Sequence, residues 1–286
     1  MSRRYVDTAL GQVHLRIEGT GPALLLLGSA GRSLRMFDHL VPLLRDDFTL
    51  VAPDLFGSGH SDPLPAGATL ADVAACMGEV LEALGLAPAH VYGFHTGNKI
   101  AASLAAHTPR LVDRLVLAGQ SHSLIPDNAE RNRVIGARTQ DYFADQDRSD
   151  TVARALRDWR ALRARVEALW WPPALDAEGP QRAKALAQAR REVLDELECF
   201  DGIQALYRAN FAHDLQADLP RITRPTLVLE VETPEEQRRL GAQAPRVCAL
   251  VPGAVSRSLA ADGFRLTLEA QARELATVLR ESLLPH

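Results

Sequence analysis

Apolar positions along the chain follow two different periods, and the alternation between them predicts most of the elements. Tyr5 to Ala9 and Gln12 to Glu18 alternate apolar and polar residues on either side of Gly11, the pattern of a two-stranded hairpin. Ala23 to Leu27 and Thr49 to Ala52 are unbroken apolar runs, as expected of strands covered on both faces. Met36 to Leu44 carries helical spacing. Thr69 is a good N-cap for a helix whose apolar positions are Val73, Met77, Val80, Leu81 and Leu84, with Gly85 at its end. His90 to Phe94 then reads as a strand, Asn98 to His107 as a helix of small residues, and Arg114 to Ala118 as another buried strand. Strands and helices in strict alternation predict an α/β fold with a mostly parallel, doubly wound sheet.

Near Pro126 the pattern changes. From there to about Asp214 helical spacing dominates, broken at Gln146 to Ser149, at Trp170-Trp171-Pro172-Pro173 and at Glu178-Gly179-Pro180. Thr226 to Leu229 (strand), Glu235 to Gln243 (helix), Val247 to Val251 (strand) and Thr267 to Leu283 (helix) then restore the earlier rhythm. Residues 1–125 and 215–286 are therefore expected to form one core and 126–214 a helical insertion. The insertion holds Tyr142, Phe143, Trp159, Trp170, Trp171, Phe200, Tyr207 and Phe211. Most suit ordinary helix packing; some would wall an apolar pocket if the insertion covers a site.

Composition narrows the function classes. The net charge is -4 and the pI about 6.1, so neither nucleic acid nor an anionic membrane is an expected partner. Lys99 and Lys184 are the only lysines among 32 basic residues, which reads as the coding bias of a GC-rich, bacterial genome. Cys76, Cys199 and Cys248 lie far apart, supporting neither a disulfide framework nor a zinc clip. The N-terminus lacks an apolar h-region and no run of about 18 apolar residues occurs, so a cytoplasmic protein is expected. No His and carboxylate pair has metal-ligand spacing, and Gly57 and Gly59 do not belong to a phosphate-binding loop. The expected partner is a small-molecule substrate, with no metal and no cofactor; the sequence does not specify an oligomeric state.

The chemistry-bearing stretch is Val91-Tyr92-Gly93-Phe94-His95-Thr96-Gly97-Asn98-Lys99-Ile100, a strand, a tight turn between small residues and a helix. Together with Gly19-Thr20-Gly21-Pro22, Asp54 to Asp62, His107 to Val112 and Leu219 to Thr226, in this order and spacing, it makes nearly the whole chain resemble the α/β-hydrolase superfamily. The resemblance implies that fold, with a helical lid where the insertion falls. It also implies a nucleophile at the G-x-S-x-G elbow, a carboxylate after a later strand and a histidine after the last strand. This chain departs at all three places. His95 replaces the serine. The acid position falls on Pro234, with Glu230, Glu232 and Glu235 nearby. Pro252-Gly253-Ala254-Val255-Ser256-Arg257 contains no histidine.

Family geometry places two oxyanion-binding N–H groups at Ser29 and Thr96. His95 is the expected base or nucleophile, because imidazole is largely neutral at pH 7 and a helix N-terminus favours that form. Such a residue needs no second histidine to activate it. Glu232, or less favourably Glu230, is the candidate carboxylate partner. Ser121, His122, Ser256 and Arg257 are candidate substrate contacts, Arg257 for an anionic group. The expected activity is hydrolysis of an ester, thioester or lactone, or a related lyase or decarboxylase step, on a small organic substrate. The alternative is a catalytically inactive relative that binds a small molecule.

Overall fold

The computed structural model describes residues 2–119, 124, 159–160, 163–164, 166, 179–199, 202–232, 241–260 and 268–285. Its centre is an eight-stranded sheet of order β1-β2-β4-β3-β5-β6-β7-β8. The strands are β1 (Ser2–Thr8), β2 (Gly11–Glu18), β3 (Ala23–Leu27), β4 (Thr49–Pro53), β5 (Ala89–Phe94), β6 (Val112–Ala118), β7 (Thr226–Glu232) and β8 (Val255–Ala260). β1 and β2, and β2 and β4, pair antiparallel; every other neighbouring pair is parallel.

The unbroken apolar run of β3 has a direct cause. Leu25 and Leu27 point into a core shared with Val73, Met77, Ile100 and Leu104, while Leu24 and Leu26 point into a second core with Phe37, Leu40, Tyr92 and Leu279. The first core is closed by helices α2 (Leu70–Ala83) and α3 (Thr96–His107), the second by α1 (Val41–Leu44) and the C-terminal helix α8 (Leu268–Leu283). Thr69 caps α2 through a reciprocal capping box with Asp72. The stretch expected as one helix from Met36 is instead a 3-10 turn, Leu34–Phe37, followed by α1.

Within the insertion, α4 (Pro180–Cys199) and α5 (Ile203–Ala212) are described. The single-turn helix α6 (Leu215–Asp218) leads back to the sheet.

Two late elements differ from the sequence expectation. Val247 to Val251 is not a strand: Ala244–Leu250 forms helix α7, with Pro245 in its first turn. Its buried residues Ala244 and Val247, followed by Val251, are spaced three and four apart, as on a helix face. The last strand is β8, whose Val255, Ser256, Arg257 and Ser258 are exposed and only Leu259 of these five is buried. It is a sheet edge and therefore lacks the apolar signature of the inner strands. The helix expected at Glu235 to Gln243 falls largely on 233–240, outside the described residues.

Candidate active site

The candidate site lies where β5 turns into α3. Gly93 and Gly97 permit that turn by close approach. A Cβ on Gly93 would lie 2.3 Å from the Gly97 carbonyl oxygen, and one on Gly97 would lie 2.2 Å from that of Leu27. The start of α3 is thus pressed against the end of β3. His95 sits between β5 and α3 at φ 50°, ψ −109°, and is the only non-glycine residue with positive φ among the described residues. Its backbone N–H donates to Ala118 O at 3.2 Å and its carbonyl accepts from Asn98 N at 3.0 Å, while Asn98 Nδ2 also donates to Ala118 O at 3.2 Å.

The His95 ring meets Phe94 edge to face, with centroids 4.2 Å apart. Gly119, at the end of β6, borders the same ring; a Cβ there would lie 3.3 Å from His95 Cδ2. Burial lowers the His95 pKa to about 4, although part of the residue still meets solvent. The imidazole is therefore neutral throughout the physiological range. Among the described residues no side chain hydrogen-bonds it. Thr96 is buried as the first residue of α3, and Ser29, half-buried, lies two residues beyond the end of β3. The start of α3 lies against the segment that carries Ser29: a Cβ on Gly97 would lie 2.7 Å from the Gly28 carbonyl oxygen.

Ser121 and His122 lie outside the described residues, shortly after Gly119. Glu232 is the last residue of β7 and pairs with Ala260. Glu230 is buried and committed to a helix: its carboxylate accepts from Gln243 N at 2.9 and 3.1 Å and from Ala244 N, capping α7. Ser256 and Arg257 lie in β8 opposite Val228 and Leu229, not in a loop beyond the strand end. Arg257 is exposed and pairs with Glu281 of α8 at 2.5 Å, so the structure does not bring it to His95. The segment that does follow the last strand, 261–267, reads Ala-Asp-Gly-Phe-Arg-Leu-Thr. It too has no histidine, so the departure stands at its corrected position.

Three buried charged groups near the loop after β3 and the start of α3 are not among the candidates read from the sequence. Asp54, at the end of β4, is buried and accepts from Leu34 N at 2.6 Å, His60 N at 3.1 Å and His14 Nδ1 at 2.8 Å. Asp195 of α4 holds Arg32 and Ser33; burial pushes its carboxyl pKa up, against the pull of both partners. Lys99, one turn into α3, is buried and donates to the Asn210 carbonyl of α5 at 2.7 Å; burial lowers its pKa to about 8, opposed by Asp214. Asp195, in a helical stretch rich in charge, reads in the sequence as an ordinary solvated carboxylate. A cavity of about 740 Å³ opens between residues 64–71 and the C-terminal half of α5, but His95 does not line it. Among the described residues, no group of three or more His, Cys, Asp or Glu could hold a metal ion, and no helix is long and apolar enough to cross a membrane.

The chain belongs to the alpha/beta hydrolase fold family, whose sequence profile matches residues 22–233. It is 37% identical over 109 residues to a pyrrolizixenacetamide deacetylase of Xenorhabdus hominickii, a segment that is 38% of this chain and 41% of that protein. The matched segment thus spans less than half the length of the curated relatives that align first. Among solved structures, a hydrolase from Pseudomonas aeruginosa PA01 superposes with a TM-score of 0.70 at 25% identity, covering 99% of this chain and 98% of that one. The enol-lactonase from Burkholderia xenovorans LB400 gives a TM-score of 0.70 at 21% identity over 98% of this chain and 99% of the other, a likeness of fold.

Proposed function

We propose that the protein hydrolyses an ester, thioester or lactone of a small organic acid, with His95 as the base at the elbow. The observation that carries this reading is the strained, partly buried position of His95. A non-glycine residue at φ 50° is costly, roughly 1–3 kcal/mol, and such outliers cluster at functional sites. The likeness to a deacetylase supports an acyl substrate. In this reading water attacks the carbonyl carbon and gives a proton to the His95 imidazole. The carbonyl π electrons move to oxygen, and the N–H groups of Thr96 and Ser29 receive the resulting oxyanion. Collapse expels the alkoxide or thiolate, which takes the proton back from the imidazolium. A conjugate acid of pKa about 4 is a weak partner for the first transfer and a strong donor for the second.

The test is turnover on a panel of small esters, thioesters and lactones. His95→Ala should reduce kcat/KM by at least 100-fold with the fold intact. His95→Ser should not restore activity, because no late histidine is available to activate a serine. The base works when unprotonated, so kcat/KM of the wild type should be level above about pH 5 and fall tenfold per pH unit below about 4. Retained activity in His95→Ala would overturn the assignment. The second reading, a small-molecule binder, is favoured by the lack of a described hydrogen-bond partner on the His95 ring. Silence across the panel together with ligand-induced thermal stabilisation would select it.

A further inference from the structure

Asp195 lies near the C-terminal end of α4, 162 residues along the chain from Ser33, yet its carboxylate closes directly on the loop that follows β3. Asp195 Oδ1 accepts from Ser33 Oγ at 2.5 Å and Oδ2 from Arg32 Nε at 2.8 Å. Asp195 is 1% exposed. Ser33 in turn caps the 3-10 turn at Leu34–Phe37, accepting from Arg35 N at 3.3 Å. The core reaches the same loop through Asp54, which holds Leu34 N at 2.6 Å. Residues 28–34 are therefore fixed at one end by β3 and at the other by two buried carboxylates, one from the core and one from the insertion.

Two further contacts seat the insertion on the same region. Ile203 of α5 packs so closely over Gly31 that a Cβ there would lie 2.4 Å from its Cδ1. Arg35 pairs with Glu198 of α4 at 2.6 Å, but both side chains of that pair remain partly exposed. Arg32 is as exposed as Arg35, so the two ion pairs differ in their carboxylates: Asp195 is buried and Glu198 is not. A partly exposed pair is screened and contributes little geometry. A buried carboxylate with both oxygens engaged by a guanidinium and a hydroxyl fixes its partners' orientation.

We infer that Asp195 is a positioning residue, which holds loop 28–34 so that the Ser29 N–H faces the substrate carbonyl oxygen at His95. This rests on the oxyanion role proposed for Ser29. It makes the insertion part of the catalytic apparatus instead of a cover alone. An oxyanion donor acts in the transition state, so displacing it should lower kcat with little change in KM.

The experiment uses the full chain and two independent readouts, amide hydrogen exchange and steady-state kinetics. Asp195→Ala should speed exchange across residues 28–36 by at least tenfold. It should lower kcat roughly 10- to 100-fold with KM within threefold. Asp195→Asn should recover part of both, because its amide oxygen still accepts from Ser33; if Asp195→Ala does not fold, this variant carries the test. Glu198→Ala, from the same helix, should change neither by more than about threefold. Loosening confined to residues 180–199, with 28–36 unchanged, would overturn the inference and leave Asp195 as an anchor for α4 alone. So would equal losses in kcat/KM for Asp195→Ala and Glu198→Ala. If His95→Ala retains activity the catalytic reading fails separately, and the exchange measurement still decides whether Asp195 fixes the loop.

Discussion

At the scale of single residues, His95 carries two costs at once: a backbone angle that a Cβ resists, and a ring withheld from water. The second is measurable through protonation. The unfolded chain binds a proton on this ring near pH 6.5, the folded chain only near pH 4. Between those values the unfolded state holds more protons, so stability falls as the pH is lowered through this window. The full effect is at most about 3 kcal/mol, and less here because part of His95 still meets solvent. Urea unfolding of the wild type and His95→Asn at pH 7.5 and pH 4.5 measures it. The stability of the wild type relative to the variant should decline by about 1–3 kcal/mol at the lower pH. Asparagine is the suitable comparison because it tolerates positive φ better than other side chains without titrating.

At the scale of elements, the inner strands are legible in the sequence because two-sided burial leaves no choice of residue: Ala23–Leu27 matches β3 at both ends. The late part of the chain is less legible for an equally physical reason. Val-Cys-Ala-Leu-Val is short, and a short apolar run fits a helix face as well as a strand. β8, at the sheet edge, shows four consecutive exposed residues from Val255 to Ser258. Its sequence therefore looks like a loop, and the shift of one element displaces Ser256 and Arg257 from the strand they occupy to a loop beyond it. Glu230 is obscured differently. Its place beside the family's acid position is clear, but the two buried amides of α7 that claim it come from 13 and 14 residues downstream. Truncating it strands those N–H groups, so Glu230→Ala should cost about 1–3 kcal/mol in chemical denaturation and Glu230→Gln less. Neither variant should change kcat/KM beyond about threefold if the carboxylate serves the helix alone. A large selective loss of turnover would return Glu230 to the catalytic residues.

At the scale of the whole molecule, the insertion is seated by backbone as well as by charge. Gly57, in the loop after β4, and Gly202, at the start of α5, lie main chain on main chain. A Cβ on Gly202 would lie 2.0 Å from Gly57 O, and one on Gly57 would lie 2.7 Å from Gly202 Cα. No flexible side chain stands between them to yield. Gly202→Ala should therefore displace the insertion or strain the core, costing about 1–3 kcal/mol. Trypsin cleavage at Arg190 and Arg191 should be faster than in the wild type; unchanged cleavage and stability would mean that the contact is slack.

The same pair of glycines leaves a mark beyond this one chain. A relative that seats its insertion in this way must hold glycine at both positions together, whereas one that carries it elsewhere is free to lose either. Joint retention or joint loss among natural and laboratory-selected variants is thus a written record of where the insertion rests, legible in the two positions alone.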